Sequence, residues 1–91
     1  MRDYQNLKVL LEKEAFPHDF LFKFIGKNSD AFEEGTRQLE RDFPDLIMET
    51  LKLSQNQNHV SYSYSFQAET AEQIIEIYRA IEKLPDLEIL L

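Results

Sequence analysis

Residues 59–68, with the sequence HVSYSYSFQA, carry the clearest pattern in this 91-residue chain. Every second residue is apolar, and the residues between are polar. The apolar series is Val60, Tyr62, Tyr64, Phe66 and Ala68, and the polar series is Ser61, Ser63, Ser65 and Gln67. Successive side chains of a strand point to opposite faces, so this alternation predicts a β-strand. We expect its aromatic face to be buried and its hydroxyl face to meet water.

A second strand is predicted at residues 18–25, where aromatic side chains again fall on one face. Phe20, Phe22 and Phe24 form that face, and Leu21, Lys23 and Ile25 form the other. Residues 26–29 are predicted to be a loop. If the two strands are neighbours with their aromatic faces inward, Lys23 lies beside the serines on the outer face.

Two helices are predicted from pairs of residues with capping-box spacing. In a capping box, each of two side chains satisfies a backbone N–H that the first helical turn leaves unpaired. Asp30 with Glu33 opens the first helix, which Pro44 ends, and Thr70 with Gln73 opens the second. Their apolar stripes are Phe32, Thr36, Leu39 and Phe43 in the first, and Ala71, Ile74, Ile75, Tyr78 and Ile81 in the second.

The remaining elements complete an α+β domain. A helix is predicted at residues 3–14, a strand at 46–54, a polar turn at 55–58 and a last strand at 87–91. After the first helix the order is βαββαβ, the split pattern of ferredoxin-like folds. Right-handed crossovers then give an antiparallel sheet of order 4-1-3-2 with two helices on one face. Residues 1–91 are predicted to form one domain, with an N-terminal helix in 1–15 and the core in 16–91.

Composition argues against several classes of partner. The chain has 17 acidic and 10 basic residues, a net charge of −7, and this disfavours nucleic acids and anionic membranes. It has no cysteine, hence no disulfide and no thiolate metal site. No apolar run approaches the roughly 20 residues of a membrane span. The opening residues Met1–Tyr4 lack the layout of a signal peptide, so we expect a cytoplasmic protein.

The run from Phe16 to Gly26 reads F-P-x-x-F-x-F-K-x-I-G. This motif resembles the opening of the YbeD-like family of small bacterial proteins of unknown function. The similarity extends over residues 7–91 and resumes at Ser61-x-Ser63, Ala68, Glu72-Gln73, Ile77-Tyr78 and Leu84. It implies a ferredoxin-like fold similar to the amino-acid-binding ACT regulatory domain. The family has no established biochemical activity to transfer.

No catalytic, cofactor or metal residues are predicted. The chain has neither a nucleophile elbow nor a glycine-rich phosphate loop. Its two histidines, His18 and His59, fall at opposite ends of neighbouring antiparallel strands, which disfavours a shared metal site. We therefore expect a protein that is not an enzyme.

Two groups of residues are candidates for a ligand or partner site. The first is Gly26, Lys27 and Asn28, which lead into a helix N-terminus where an anion can bind. The other interpretation is a plain capping connection, and the rival functional one is a small enzyme with an anion loop over Gly26–Asp30. The second group is Lys23 with Ser61, Ser63 and Ser65, which is either a docking face or an ordinary solvated sheet face.

The expected function is that of a non-enzymatic regulatory or interaction domain that binds a small metabolite or a protein partner. RNA binding is a weaker alternative, because stacking bases on the strand aromatics would require Lys23 and the serines to lie beneath the helices. The apolar segment Leu87–Leu91 is predicted at a sheet edge, and ACT-like domains associate edge to edge. The resemblance thus suggests a homodimer through this edge.

Overall fold

The computed structural model describes residues 3–91, which form three helices and one four-stranded antiparallel sheet. The helices are α1 (Tyr4–Leu11), α2 (Asp30–Asp42) and α3 (Ala71–Glu82). The strands are β1 (His18–Lys27), β2 (Ile47–Leu53), β3 (His59–Ala68) and β4 (Leu87–Leu90). The sheet order is β2-β3-β1-β4, so the ferredoxin-like α+β architecture and the 4-1-3-2 order are confirmed. Met1 and Arg2, which belong to the predicted N-terminal segment, lie outside the described residues.

The central strands β1 and β3 bury their aromatic faces against the helices. Phe22 lies opposite Tyr64, and Phe24 lies opposite Tyr62. All four of these side chains are buried. The ring of Phe24 meets that of Phe32 on α2 with centroids 6.0 Å apart. The predicted orientation of the two strands is therefore confirmed.

The two main helices begin in different ways. Thr70 and Gln73 form the predicted capping box at the start of α3. The box predicted for Asp30 and Glu33 is wrong, because Ser29 caps α2 and its hydroxyl accepts the N–H of Phe32 at 3.1 Å. With the cap one residue earlier, the side chain of Glu33 lies one position too far along to reach back. It forms an ion pair with Arg37 instead.

Strand β1 continues two residues beyond its predicted end. Gly26 pairs with Val60 on one side and with Leu87 on the other, so it belongs to the strand and not to a loop. The ring of Phe32 packs directly on its Cα. A Cβ built on Gly26 would lie 2.5 Å from two atoms of that ring. Gly26 therefore lets the first turn of α2 approach the sheet closely.

Helix α1 packs on the helical side of the sheet. Its Tyr4 ring lies 6.4 Å from the ring of Tyr78 on α3, and Lys8 forms an ion pair with Glu72. Leu11 joins the buried core. The sequence left the position of this helix open. The contacts place it against α3, away from the opposite face of the sheet.

A buried tyrosine hydroxyl ties α2 to the sheet. The O–H of Tyr64 donates to the carboxylate of Glu40 at 2.6 Å. Burial raises the pKa of the Tyr64 phenol well above its usual range, and the adjacent carboxylate raises it further. The neutral phenol is thus the form that the folded protein stabilises.

We expect Gly26→Ala to destabilise the protein by about 1–3 kcal/mol, because the added methyl group overlaps the buried ring of Phe32. Urea unfolding followed by circular dichroism measures this loss. Gly35→Ala is the control, since the atoms nearest to a Cβ there belong to the side chains of Leu84 and Pro85 and lie 3.0 Å away or farther. Alanine at this helical position also gains about 1 kcal/mol of helix propensity over glycine. Equal losses in the two variants would contradict the close packing of Phe32 on Gly26.

We expect Tyr64→Phe to lower the free energy of unfolding by about 1 kcal/mol at neutral pH through loss of the Glu40 hydrogen bond. Above pH 10 the unfolded tyrosine loses its proton while the folded one keeps it. Stability of the wild type then falls as pH rises, by about 1.4 kcal/mol per unit from this one group. The variant lacks this contribution, so its disadvantage should shrink above pH 10 in urea titrations. A difference that stays constant up to pH 11 would contradict the raised pKa.

Candidate functional site

The sheet face opposite the helices carries the second candidate group. We call it the open face and define it by the register of the strands. It comprises Asp19, Leu21, Lys23, Ile25 and Lys27 of β1, His59, Ser61, Ser63, Ser65 and Gln67 of β3, Ile47, Glu49, Thr50 and Lys52 of β2, and Glu88 and Ile89 of β4. Lys23 pairs with Ser63, so the predicted placement of Lys23 beside the serines is confirmed.

Three rows cross the open face from β2 to β1, each with a serine of β3 in its interior, and one of them continues to β4. The rows are Ile47–Ser65–Leu21, Thr50–Ser63–Lys23 and Lys52–Ser61–Ile25–Ile89. The serines form a column along β3, and longer side chains flank them on both sides. As a result, Ser63 is only 6% exposed although no helix lies over it in the described part of the chain.

Large aliphatic side chains surround the serine column. Leu21 is 51% exposed, Ile47 is 60% exposed and Ile89 is 47% exposed. They come from three different strands, so the apolar surface spans the width of the sheet. A broad exposed apolar surface that encloses polar groups is typical of interaction sites.

Glu49 belongs to the open face, although the sequence analysis did not include it there. The pairing of β2 with β3 shifts register between Met48 and Thr50, which leaves Glu49 as an extra residue. Its carboxylate accepts the hydroxyl of Ser65 at 2.9 Å. Strict alternation counted back from Leu51 and Leu53 would have placed Glu49 on the helical side, whereas the register shift places it on the open face. A bulge of this kind has no sequence signal in residues 46–54.

The charges of the open face cancel. Lys23, Lys27 and Lys52 balance Asp19, Glu49 and Glu88, so the whole net charge of −7 resides on the rest of the chain. At one end of the face the carboxylate of Glu88 lies 2.8 Å from Nε2 of His59. Lys23 and Lys52, by contrast, form no ion pair within residues 3–91.

The first candidate group is divided among three places. Gly26 is buried under Phe32, Lys27 lies opposite His59 on the open face, and only Asn28 is in a loop. The backbone N–H of Asn28 donates to Asn58, and its side-chain amide donates to Gln57.

The carboxylate of Asp86 lies at the N-terminus of α2, next to the N-cap residue Ser29. The hydroxyl of Ser29 donates to Asp86 at 2.7 Å, and the N–H of Ser29 donates to the carbonyl of Lys27. Asp86 adopts a positive φ of 63° in the turn before β4. This arrangement favours the capping interpretation of the loop over an anion cradle.

The two histidines occupy opposite ends of the β1–β3 pair, as predicted. His18 lies opposite Ala68, and His59 lies opposite Lys27. Within the described range 3–91 there is no group of three or more histidine, aspartate or glutamate residues arranged to hold a metal ion. None of the helices in that range is long and apolar enough to cross a membrane.

A groove of about 650 Å³ lies between α2 and α3. Its apolar lining includes Leu39, Phe43, Ala80 and Leu84, and its charged residues are Asp42, Glu76, Arg79 and Lys83. The sequence did not predict it, because the space depends on the separation of two helices that are distant in the chain. Gly35 also lines this groove.

No curated protein and no solved structure matches the chain. A family model described as "Protein of unknown function (DUF493)" matches residues 12–91, which include the F-P-x-x-F-x-F-K-x-I-G motif and every strand. This match confirms the resemblance noted from the sequence. The chain therefore belongs to the DUF493 family, the YbeD family of proteins whose function is unknown.

Proposed function

We propose that this protein is a non-enzymatic interaction domain that docks a partner protein on its open face. One observation supports the proposal above all others. On a protein of net charge −7, this face is electrically balanced and presents exposed Leu21, Ile47 and Ile89 around a column of serines. Burying apolar surface drives association, and a balanced face keeps the electrostatic cost of desolvation low.

The free lysines indicate the chemistry of the partner. Lys23 and Lys52 lie on strands separated by one other strand, hence about 10 Å apart across the sheet. Their ammonium groups have no acidic partner within residues 3–91, whereas Glu49 accepts a hydrogen bond from Ser65 and Glu88 lies 2.8 Å from Nε2 of His59. A partner surface that presents apolar side chains and one or two carboxylates would complement the exposed apolar residues and the two ammonium groups of the open face. A strongly basic partner would instead be attracted to the acidic helices.

A protein partner fits the open face better than a metabolite does. Small-molecule sites are concave and enclose most of the ligand, whereas the open face is the surface of a sheet. The groove between α2 and α3 has the volume of a small-molecule site, but its charged residues carry both signs. Arg79 in that groove lies over the ring of Tyr4 at 5.3 Å. The groove therefore offers no single charge preference for a ligand.

The open face also favours binding over catalysis. Active sites combine burial with a charged partner to shift the pKa of a catalytic group. Lys23 and Lys52 are exposed, so burial does not act on these two charged groups. Among the residues of the three rows, the polar side chain that is buried is that of Ser63, which is not a charged group. The imidazole of His59 is paired with Glu88 at one end of the face.

A photo-crosslinking amino acid at position 21 should capture a partner that the same group at position 10 does not. Leu10 is the matched control, because it is also an exposed leucine but lies on α1, on the other side of the sheet. The captured protein is identified, purified and titrated against wild-type protein by calorimetry.

Leu21→Arg and Lys23→Glu should each weaken that purified complex by about 30-fold or more, the loss typical of residues at the centre of an interface. Leu10→Arg should leave the affinity unchanged. Equal capture from positions 21 and 10, or full affinity in Leu21→Arg, would refute docking on the open face.

A further inference from the structure

The edge strand β2 is uncovered along its whole length. All seven of its residues are exposed, and four of them are the large apolar residues Ile47, Met48, Leu51 and Leu53. Edge strands are normally shortened, covered or interrupted by proline, because their free backbone groups invite pairing. Strand β2 has no proline, and its protection consists of Lys52 and the bulge at Glu49.

Helix α2 lies over the central strands and stops short of this edge. Its Phe32 ring contacts Phe24 of β1 and Tyr62 of β3, and its Glu40 bonds to Tyr64 of β3. The helical side of β2 carries Met48, Leu51 and Leu53, which lie opposite Tyr64, Tyr62 and Val60 of β3. Each of these three apolar side chains is nearly half exposed or more. Met48, Leu51 and Leu53 thus form an exposed apolar margin beside the buried core, and we call it the apolar margin of β2.

We propose that β2 pairs antiparallel with β2 of a second copy of the chain, about a two-fold axis at Leu51. Opposite residues in an antiparallel pair share a face of the sheet. Leu51 then lies opposite Leu51 of the second copy, Lys52 lies opposite Thr50, and Leu53 lies opposite Met48, with Glu49 as the extra residue. Every pair joins residues from the same face.

The chemistry of β2 is complementary to itself in this register. On the helical side the apolar margins of the two copies meet along Met48, Leu51 and Leu53. On the open face Lys52 lies beside Glu49 of the second copy, so opposite charges adjoin on both sides of the axis. A two-fold interface makes each contact that lies off the axis two times.

Other registers are disfavoured by the same residues. A shift by one residue would turn the second copy over. Its polar open-face side chains would then lie opposite the apolar side chains on the helical side of the first copy. An axis at Lys52 would keep the faces matched but would set two lysines directly opposite each other, which is destabilising. The axis at Leu51 avoids both penalties.

The pairing goes beyond the proposed docking function, because it forms along the free edge of β2, and Leu21 and Lys23 of β1 take no part in it. It would join two four-stranded sheets into one of eight strands with a continuous open face. We place it at β2 and not at the Leu87–Leu91 edge suggested by the sequence. Strand β4 has four residues, whereas β2 has seven, so β4 offers the shorter edge.

A cysteine at the axis tests the register directly. The chain has no cysteine of its own, so Leu51→Cys introduces a single thiol. Residues opposite each other across an antiparallel pair have Cα atoms about 4.5–5.5 Å apart, within the range that a disulfide spans. Mild oxidation should therefore convert Leu51→Cys into a covalent dimer on non-reducing gels. Ile89→Cys, on β4 and 47% exposed, is the control and should remain largely monomeric. Equal crosslinking of the two variants, or none in Leu51→Cys, would overturn the proposal.

Charge reversal provides a second test that does not depend on the cysteine. Sedimentation equilibrium should show a dimer for the wild type and at least tenfold weaker association for Glu49→Lys and for Lys52→Glu. The double variant restores opposite charges across the axis and should recover the dimer. Leu21→Arg should not change the association, which separates this interface from the docking face. A monomeric wild type, or no recovery in the double variant, would contradict pairing through β2.

Discussion

The rings of Phe24, Tyr62 and Tyr64 stack across β1 and β3 with centroids 5.6–6.0 Å apart and planes within 20° of parallel. This cross-strand stack fixes which faces of the central strands are buried, and both main helices pack on the aromatic layer to which it belongs. A shift of one residue between β1 and β3 would turn the aromatic side chains of one strand toward water and place its polar residues, either Lys23 or the serines, under the helices. The rest of the architecture follows from keeping these rings inside.

The open face follows from the same constraint. Alternation along β1 and β3 means that an aromatic inner face is accompanied by an outer face of Lys23, Leu21 and serines. Most of the acidic residues lie on the helices and in the loops, where they face water. The protein thus separates an acidic helical side from a balanced sheet side, and partners of different charge would approach different sides.

Part of the candidate site was predictable from the sequence, and part was not. The alternation in residues 18–25 and 59–68 placed Lys23, Ser61, Ser63 and Ser65 together, because strand periodicity is a local property. Glu49 entered the site through a bulge that depends on how β2 fits against β3. The predicted loop site failed to assemble around Gly26 because a neighbouring strand on each side extended β1 past it.

The sequence by itself determined the order of the elements, the strand and helix periodicities, and the side of the sheet that is buried, because each of these is encoded in the spacing of neighbouring residues. Only the tertiary structure decided that α1 packs on α3, that Ser29 and Asp86 close the start of α2, and that β2 stays uncovered. These features depend on distances between segments far apart in the chain. Such distances are set by the shapes of packed side chains, which no local pattern records.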